Sequence, residues 1–275
     1  KREIMAKFLT LNTHSWMEEE QETKLNQLAE RILQEKYDVI CLQEVNQLTE
    51  SEQVVQAPFY QAVEGAIEIH QDHFALCLVE KLAEAGLDYH WSWAYNHIGF
   101  DIYNEGVAIL SRKPLTPREV LVSEVNDPRD YHTRKVLLAE TEVEGQLLTI
   151  ASCHLSWWDK GFQGEWAKLE AELLKVKTPL VLMGDFNNPV GQQGYQTILA
   201  SPLKLQDSHA VAREAIGEAT VEGTIAGWDD NKHALKIDYV FTSQGMDVER
   251  SAVVFDGKET PVVSDHFGLE VQVTL

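Results

Sequence analysis

Lysine and arginine are scarce in this chain. Its 275 residues include 23 of them against 44 aspartates and glutamates, a formal net charge of −21. No basic run occurs in the sequence. Proteins that grip long nucleic acids draw most of their affinity from neutralised phosphates, and carry a basic stripe to do so. No stable nucleic-acid complex is therefore expected. The acidity does not exclude nuclease chemistry, because a metal site attracts phosphate locally. Part of it reads as solvated helix surface, as in Glu18-Glu19-Glu20.

Cysteine is also rare. Cys41, Cys77 and Cys153 form an odd, sparse set, which excludes a disulfide framework. They read as small buried hydrophobes, and the expected setting is reducing and cytoplasmic. No apolar stretch approaches the roughly 20 residues of a membrane helix. Lys1-Arg2-Glu3-Ile4-Met5 lacks the apolar core of a signal peptide, so none is expected in this chain, although one already removed would leave no trace. No linker, low-complexity tract or short repeat divides the sequence. With 44% hydrophobic and 24% charged residues, it reads as one globular domain spanning 1–275, expected to be monomeric.

What is present is an alternation of apolar runs and helical patterns. Residues 8–12, 38–44, 106–111, 134–142, 146–154, 180–187, 237–241 and 269–273 read as strands. Glu144-Gly145 reads as a hairpin turn. Leu25, Leu28, Ala29, Ile32 and Leu33 recur at helical spacing. So do Phe74, Ala75, Leu78, Val79 and Leu82, stopped at Gly86, and then Phe162, Trp166, Leu169, Leu173 and Val176. The aromatic stretch 89–95 alternates and reads as a core strand rather than a ligand platform. The expected fold is α/β of the α+β type: two mixed sheets packed together with helices outside.

The strand ends carry the chemistry. Leu180 to Asn187 reads Leu-Val-Leu-Met-Gly-Asp-Phe-Asn, an apolar run that stops in a carboxylate and a carboxamide. In extended geometry Asp185 and Asn187 point to the same side. Other strand-like runs end or begin in Asn12, Gln43-Glu44, Glu105, His154, Asp238 and Ser264-Asp265-His266. Phosphate-ester hydrolysis needs neutralised phosphoryl oxygens, an activated water and a stabilised leaving oxygen. A divalent metal and a carboxylate or His supply these. Glu44 is the first candidate for a Mg²⁺ ligand, since Mg²⁺ prefers oxygen donors. Asp185 is a candidate base, and Asn187 a neutral donor to phosphate. His154 and His266 are candidate acid/base groups, with Glu105, Asp238 and Asp265 as possible carboxylate partners. Neighbours on a strand face opposite ways, so Asp238 is the better partner for His266.

This ordered set resembles the endonuclease/exonuclease/phosphatase superfamily, which includes the deoxyribonuclease-like and sphingomyelinase-like phosphoesterases. The matching segments are Leu11-Asn12, Leu42-Gln43-Glu44-Val45, Glu105 to Arg112, Cys153-His154-Leu155, Gly184 to Asn187, Ile237 to Val240 and Ser264-Asp265-His266. Each alone is weak, but seven in order are strong. The resemblance implies a four-layer, deoxyribonuclease-like sandwich with the site at one edge between the sheets. It implies Mg²⁺ or Mn²⁺ at Glu44, with Asn12 beside it and Asp265 supporting the metal region. It leaves Asp185 and His266 both open as the base, and likens His154 with Glu105 to a second His–carboxylate pair.

Arg134, Trp157 and Trp158 are candidate substrate contacts. The loop Trp228 to His233 can border the site, and His14, Asp101 and Tyr103 are minor candidates. The expected activity is Mg²⁺-dependent hydrolysis of a small or lipid-derived phosphate ester. A DNA or RNA nuclease is the runner-up, and an inactive phosphate-binding or partner-binding scaffold more remote. A glycosidase using Glu44 and Glu105 would leave Asp185, Asn187 and His266 unexplained. No protruding apolar hairpin is evident in the sequence, which counts against a secreted lipid hydrolase.

Overall fold

Period-two apolar runs and period-3.6 helices assemble into two sheets with helices outside them. The computed structural model describes residues 4–275. In chain order the elements are β1 (Met5–Asn12), α1 (Gln21–Glu35), β2 (Val39–Leu48), α2 (Phe74–Glu84), β3 (His90–Gly99), β4 (Tyr103–Ser111), β5 (Leu115–Leu121), β6 (Lys135–Val143) and β7 (Gln146–His154). They continue as α3 (Phe162–Leu173), β8 (Leu180–Asp185), α4 (Gln193–Leu199), β9 (Leu205–Asp207), α5 (Ser208–Val211), β10 (Glu214–Ile216), β11 (Asp238–Ser243), β12 (Asp247–Val254) and β13 (Gly268–Thr274). One sheet has seven strands in the order β10-β12-β13-β1-β2-β4-β3, the other six in the order β5-β6-β7-β8-β11-β9. Both are mixed, with β1 parallel to β2 and β7 parallel to β8 among otherwise mostly antiparallel pairs.

Three apolar layers hold the sandwich. Phe8, Cys41, Ile109, Ile150, Met183 and Val240 belong to the layer between the sheets. Leu28, Ile32, Leu78 and Leu82 pack helices α1 and α2 onto Leu9, Leu42 and Trp91 of the first sheet. Phe162, Trp166 and Leu169 of α3 pack onto Leu182 and Phe241 of the second. Each such side chain contributes about 1.5–3 kcal/mol by leaving water. The aromatic stretch is core, as its alternation implies, with Tyr89, Trp91 and Trp93 buried. Glu144 and Gly145 turn the β6–β7 hairpin with φ of 48° and 83°. The three cysteines are free. Among the described residues, no helix is long and apolar enough to cross a membrane.

One expectation fails at the surface. The β3–β4 hairpin does carry apolar side chains at its tip, where Phe100 and Ile102 are exposed. Only two of them flank Asp101, too few for the sequence to show an apolar run.

Candidate active site

Strand register lines up the chemistry. His154 at the end of β7 pairs with Asp185 at the end of β8, and Asp185 pairs with Asp238 at the start of β11. Registered neighbours project to one face. Ile150, Met183 and Val240 share that face and lie in the inter-sheet core. The three polar groups therefore continue the core face beyond the apolar layer. Asn12 does the same from the facing sheet, alternating with Phe8 along β1.

Gly184 permits the close approach of β7 and β8. Its φ is +150°, and a Cβ there would lie 1.9 Å from the carbonyl oxygen of Cys153. Glu44 needs a different device. By simple alternation it would join Leu42 and Ile40 on the helix side. A β-bulge between Leu42 and Val45, with Glu44 at φ 47°, turns it inward instead. There it accepts a hydrogen bond from the Asn12 amide.

The groups converge. Asn12 Nδ2 also donates to Asp185 Oδ2 at 3.1 Å and lies 3.4 Å from His266 Nε2. His266 Nδ1 is 2.9 Å from Asp238 Oδ2, the partner expected from strand geometry. Asp185 Oδ2 lies 3.5 Å from His266 Nε2 and 3.4 Å from His154 Nε2. Asn12, Asp185, Asp238 and His266 are all buried, and Glu44 is half-buried. Asp265 sits at the margin, 3.8 Å from His14 Nε2. Arg134 is buried and donates to the backbone oxygen of His154 at 3.3 Å, rather than pairing with a surface carboxylate.

Two expectations are corrected. Glu105 does not pair with His154. Its Oε2 is 3.0 Å from His97 Nε2, and His97 Nδ1 is 2.9 Å from the Thr133 carbonyl oxygen. A second bulge, between Tyr95 and His97, moves His97 off the helix-side face of Trp91 and Trp93 and into register with Glu105. Asn187 does not extend the strand beside Asp185 either. The strand stops at Asp185, which accepts from the Asn187 backbone N–H at 3.0 Å, and Asn187 turns left-handed at φ 50°. Its Nδ2 donates to the Leu155 carbonyl at 2.8 Å, leaving one N–H, and its Oδ1 accepts from Trp228 Nε1 at 3.1 Å.

Burial, reinforced by the carboxylates of Glu105 and Asp265, pushes Glu44 up to about 8. Burial also pushes Asp185 up to about 7, with Asp238 adding and His266 opposing. Burial opposes a charge on His266, but Asp238 and Asp185 outweigh it and hold the imidazole well above its usual range. Burial, helped by the Arg134 charge, holds His154 well below that range.

The donor set fits a divalent cation. Glu44, His154 and Asp185 bring ligand atoms within 4.8 Å of one another, as do Asp185, Asp238 and His266. Among the described residues no lysine or arginine pairs with Glu44, Asp185 or Asp238. Three crowded carboxyl groups outnumber the charged His266 imidazole beside them, and are costly to bury unless an ion compensates the rest. Asn187 also borders an open cleft of about 850 Å³, lined by Trp157, Trp158, Trp228, Tyr131 and His132 among others. Trp157 and Trp158, the candidate substrate contacts, thus both line the cleft that Asn187 borders. Trp228 lies in the loop that the sequence flagged, but its bond to Asn187 and the place of Tyr131 carried no sequence signal.

A mixed two-sheet sandwich with this cluster at its edge defines a phosphoesterase class. The chain belongs to the endonuclease/exonuclease/phosphatase family, whose model matches residues 19–266 and whose members are phosphoesterases that generally use a divalent metal. It is similar to a family protein from Leptotrichia buccalis, at 32% identity and TM-score 0.85, covering 98% of this chain and 100% of that one. A Bacteroides thetaiotaomicron mannosyl-6-phosphatase shares the fold at 18% identity and TM-score 0.66, with 98% and 100% covered. The human Nocturnin catalytic domain, solved with a bound sulfate, shares it at 17% identity and TM-score 0.67, with 98% and 93% covered. No curated protein matches the sequence.

Proposed function

We propose that this chain is a Mg²⁺-dependent hydrolase of small or lipid-derived phosphate esters, acting by in-line attack of water. The observation that carries the reading is the convergence of Asn12, Glu44, Asp185 and His266, with Asp238 behind His266. Mg²⁺ or Mn²⁺ would be held by Glu44, with Asn12 and Asp265 beside it, and when bound would neutralise charge on the phosphoryl and leaving oxygens. Asp185 takes the proton of the attacking water as its oxygen bonds to phosphorus and the P–O ester bond breaks. The leaving oxygen is protonated from solvent. His266, charged and oriented by Asp238, donates to a phosphoryl oxygen, and so does the free N–H of Asn187. His154 and the Glu105–His97 pair support the walls of the site. The three unpaired cysteines support a reducing, cytoplasmic setting.

The charge of −21 favours a small ester over a nucleic acid. The test is turnover of bis(p-nitrophenyl) phosphate, p-nitrophenyl phosphate, sphingomyelin and plasmid DNA with Mg²⁺ and with EDTA. Hydrolysis of the small esters that EDTA abolishes, and that falls about 10²-fold or more in D185A and H266A, is expected. EDTA-insensitive turnover or full activity in both variants would overturn the assignment. Efficient DNA nicking at low enzyme concentration would replace the substrate class by the nuclease alternative.

A further inference from the structure

We propose that the aromatic cleft beside Asn187 is a leaving-group subsite for an uncharged, polyhydroxylated ring, so that the substrate is a phosphate ester of a carbohydrate. The inference rests on the phosphoesterase reading and adds the group that the ester carries. Position comes first. Asn187 lines the cleft and follows Asp185 by two residues, so a phosphate held there would place its substituent in the cleft. Trp228 belongs to both regions, lining the cleft while its indole N–H holds Asn187 Oδ1 at 3.1 Å.

The walls are built rather than incidental. Gly227 has φ +88°, and a Cβ there would lie 2.4 Å from the Trp157 ring. The loop therefore seats directly on that indole, which fixes Trp157 and Trp228 relative to one another. The Trp157 indole nitrogen is buried and has no partner in the protein. An unpaired buried donor is costly unless a water or a ligand oxygen reaches it.

The lining chemistry selects the class. Trp157, Trp158, Trp228 and Tyr131 offer flat apolar surface, which suits the C–H faces of a pyranose. Asp159, Gln192, Asp229 and Asp230 line the same cleft, and none of these side chains is bonded within the described protein. Carboxylates and amides accept from hydroxyl groups. Three of the four are anionic and Lys160 is the one lysine or arginine in the lining, which works against a second phosphate or a polynucleotide strand. A quaternary ammonium is held by rings that surround it. An open trough of about 850 Å³ suits a larger, flatter group.

Two measurements test this. The first compares kcat/KM for hexose 6-phosphates, methyl phosphate, a mononucleotide and phosphocholine. Hexose phosphates are expected to exceed methyl phosphate at least tenfold, and W157A to reduce that ratio about tenfold through KM. Equal ratios in wild type, or preference for the nucleotide or phosphocholine, would overturn the carbohydrate assignment while leaving the phosphoesterase reading intact. The second is independent of turnover. Tryptophan fluorescence of D185A is titrated with glucose 6-phosphate, mannose 6-phosphate and inorganic phosphate. Saturation by a sugar phosphate at tenfold lower concentration than phosphate is expected. Equal saturation, or none, overturns the proposal even if a generic ester is hydrolysed.

Discussion

The same substitution should have opposite effects at two glycines. Gly184 sits where β7 and β8 touch, and Gly164 on the exposed face of α3. A methyl group at 184 would lie 1.9 Å from the Cys153 oxygen, so the two strands would have to part by about 1 Å. Overpacking of this kind costs about 1–3 kcal/mol. The positive φ adds a strain of about 1–3 kcal/mol. G184A should therefore lose roughly 3 kcal/mol or more, a fall in Tm of about 6 °C or more at 2–4 °C per kcal/mol. Because His154 and Asp185 are registered one residue further along, activity should fall at least about tenfold. At Gly164 a Cβ meets nothing within 4 Å. G164A should gain about 0.5–1 kcal/mol of helix propensity and keep its activity. Urea titration, calorimetry and turnover on one preparation read all of these. Wild-type stability and activity in G184A would refute the claim that backbone contact at Gly184 sets the site.

Three further outcomes follow from the buried polar groups. His73 is buried, accepts from the Leu76 N–H and is pushed down to about 3 by burial. It is neutral when folded, so the unfolded chain binds the extra proton below about 6.5 and stability falls as pH drops from there towards 3. The loss from this residue is about 2 kcal/mol by pH 5. His73→Asn keeps an N-cap acceptor and should flatten that part of the urea-midpoint profile; an unchanged slope would exclude His73. H97A should strand Glu105 and cost roughly 3 kcal/mol. E105Q should cost less, and urea midpoints in the reverse order would contradict the pairing. E44Q should raise the Mg²⁺ concentration for half-maximal turnover about tenfold or more. An unchanged Mg²⁺ titration would remove Glu44 from the metal site.

What could be read from the sequence follows a physical pattern. Asn12, Asp185, Asp238 and His266 stand at or just beyond the ends of apolar runs, so simple alternation places them together. Strands β1, β2, β8 and β11 were legible for the same reason. Glu44 was legible as a site residue but the device that turns it inward was not, and His97 was missed altogether; both lie at β-bulges. Alternation would put Glu44 and His97 on the helix side, and one extra residue in each strand turns them inward. Nothing in the residue types announces such an insertion. Strand β5 escaped because it is a partly exposed edge carrying Pro117. Strand β12 escaped because its first half, Asp-Val-Glu-Arg, is largely polar. Short α4 presents few apolar positions. The cleft depends on segments far apart in sequence, joined by side-chain bonds of Asn187 and Trp228 and by the seating of Gly227 on Trp157.

The central claim is that Glu44, Asn12, Asp185 and His266 form one metal-dependent phosphoryl site. A crystal soaked with Mn²⁺ and a phosphate analogue tests it most directly, through anomalous scattering at the manganese edge. A Mn²⁺ peak coordinated by Glu44 is expected, with the phosphate contacted by Asn187 and His266 and within reach of Asp185. Manganese or phosphate bound elsewhere, with this cluster vacant at saturating concentrations, would contradict it.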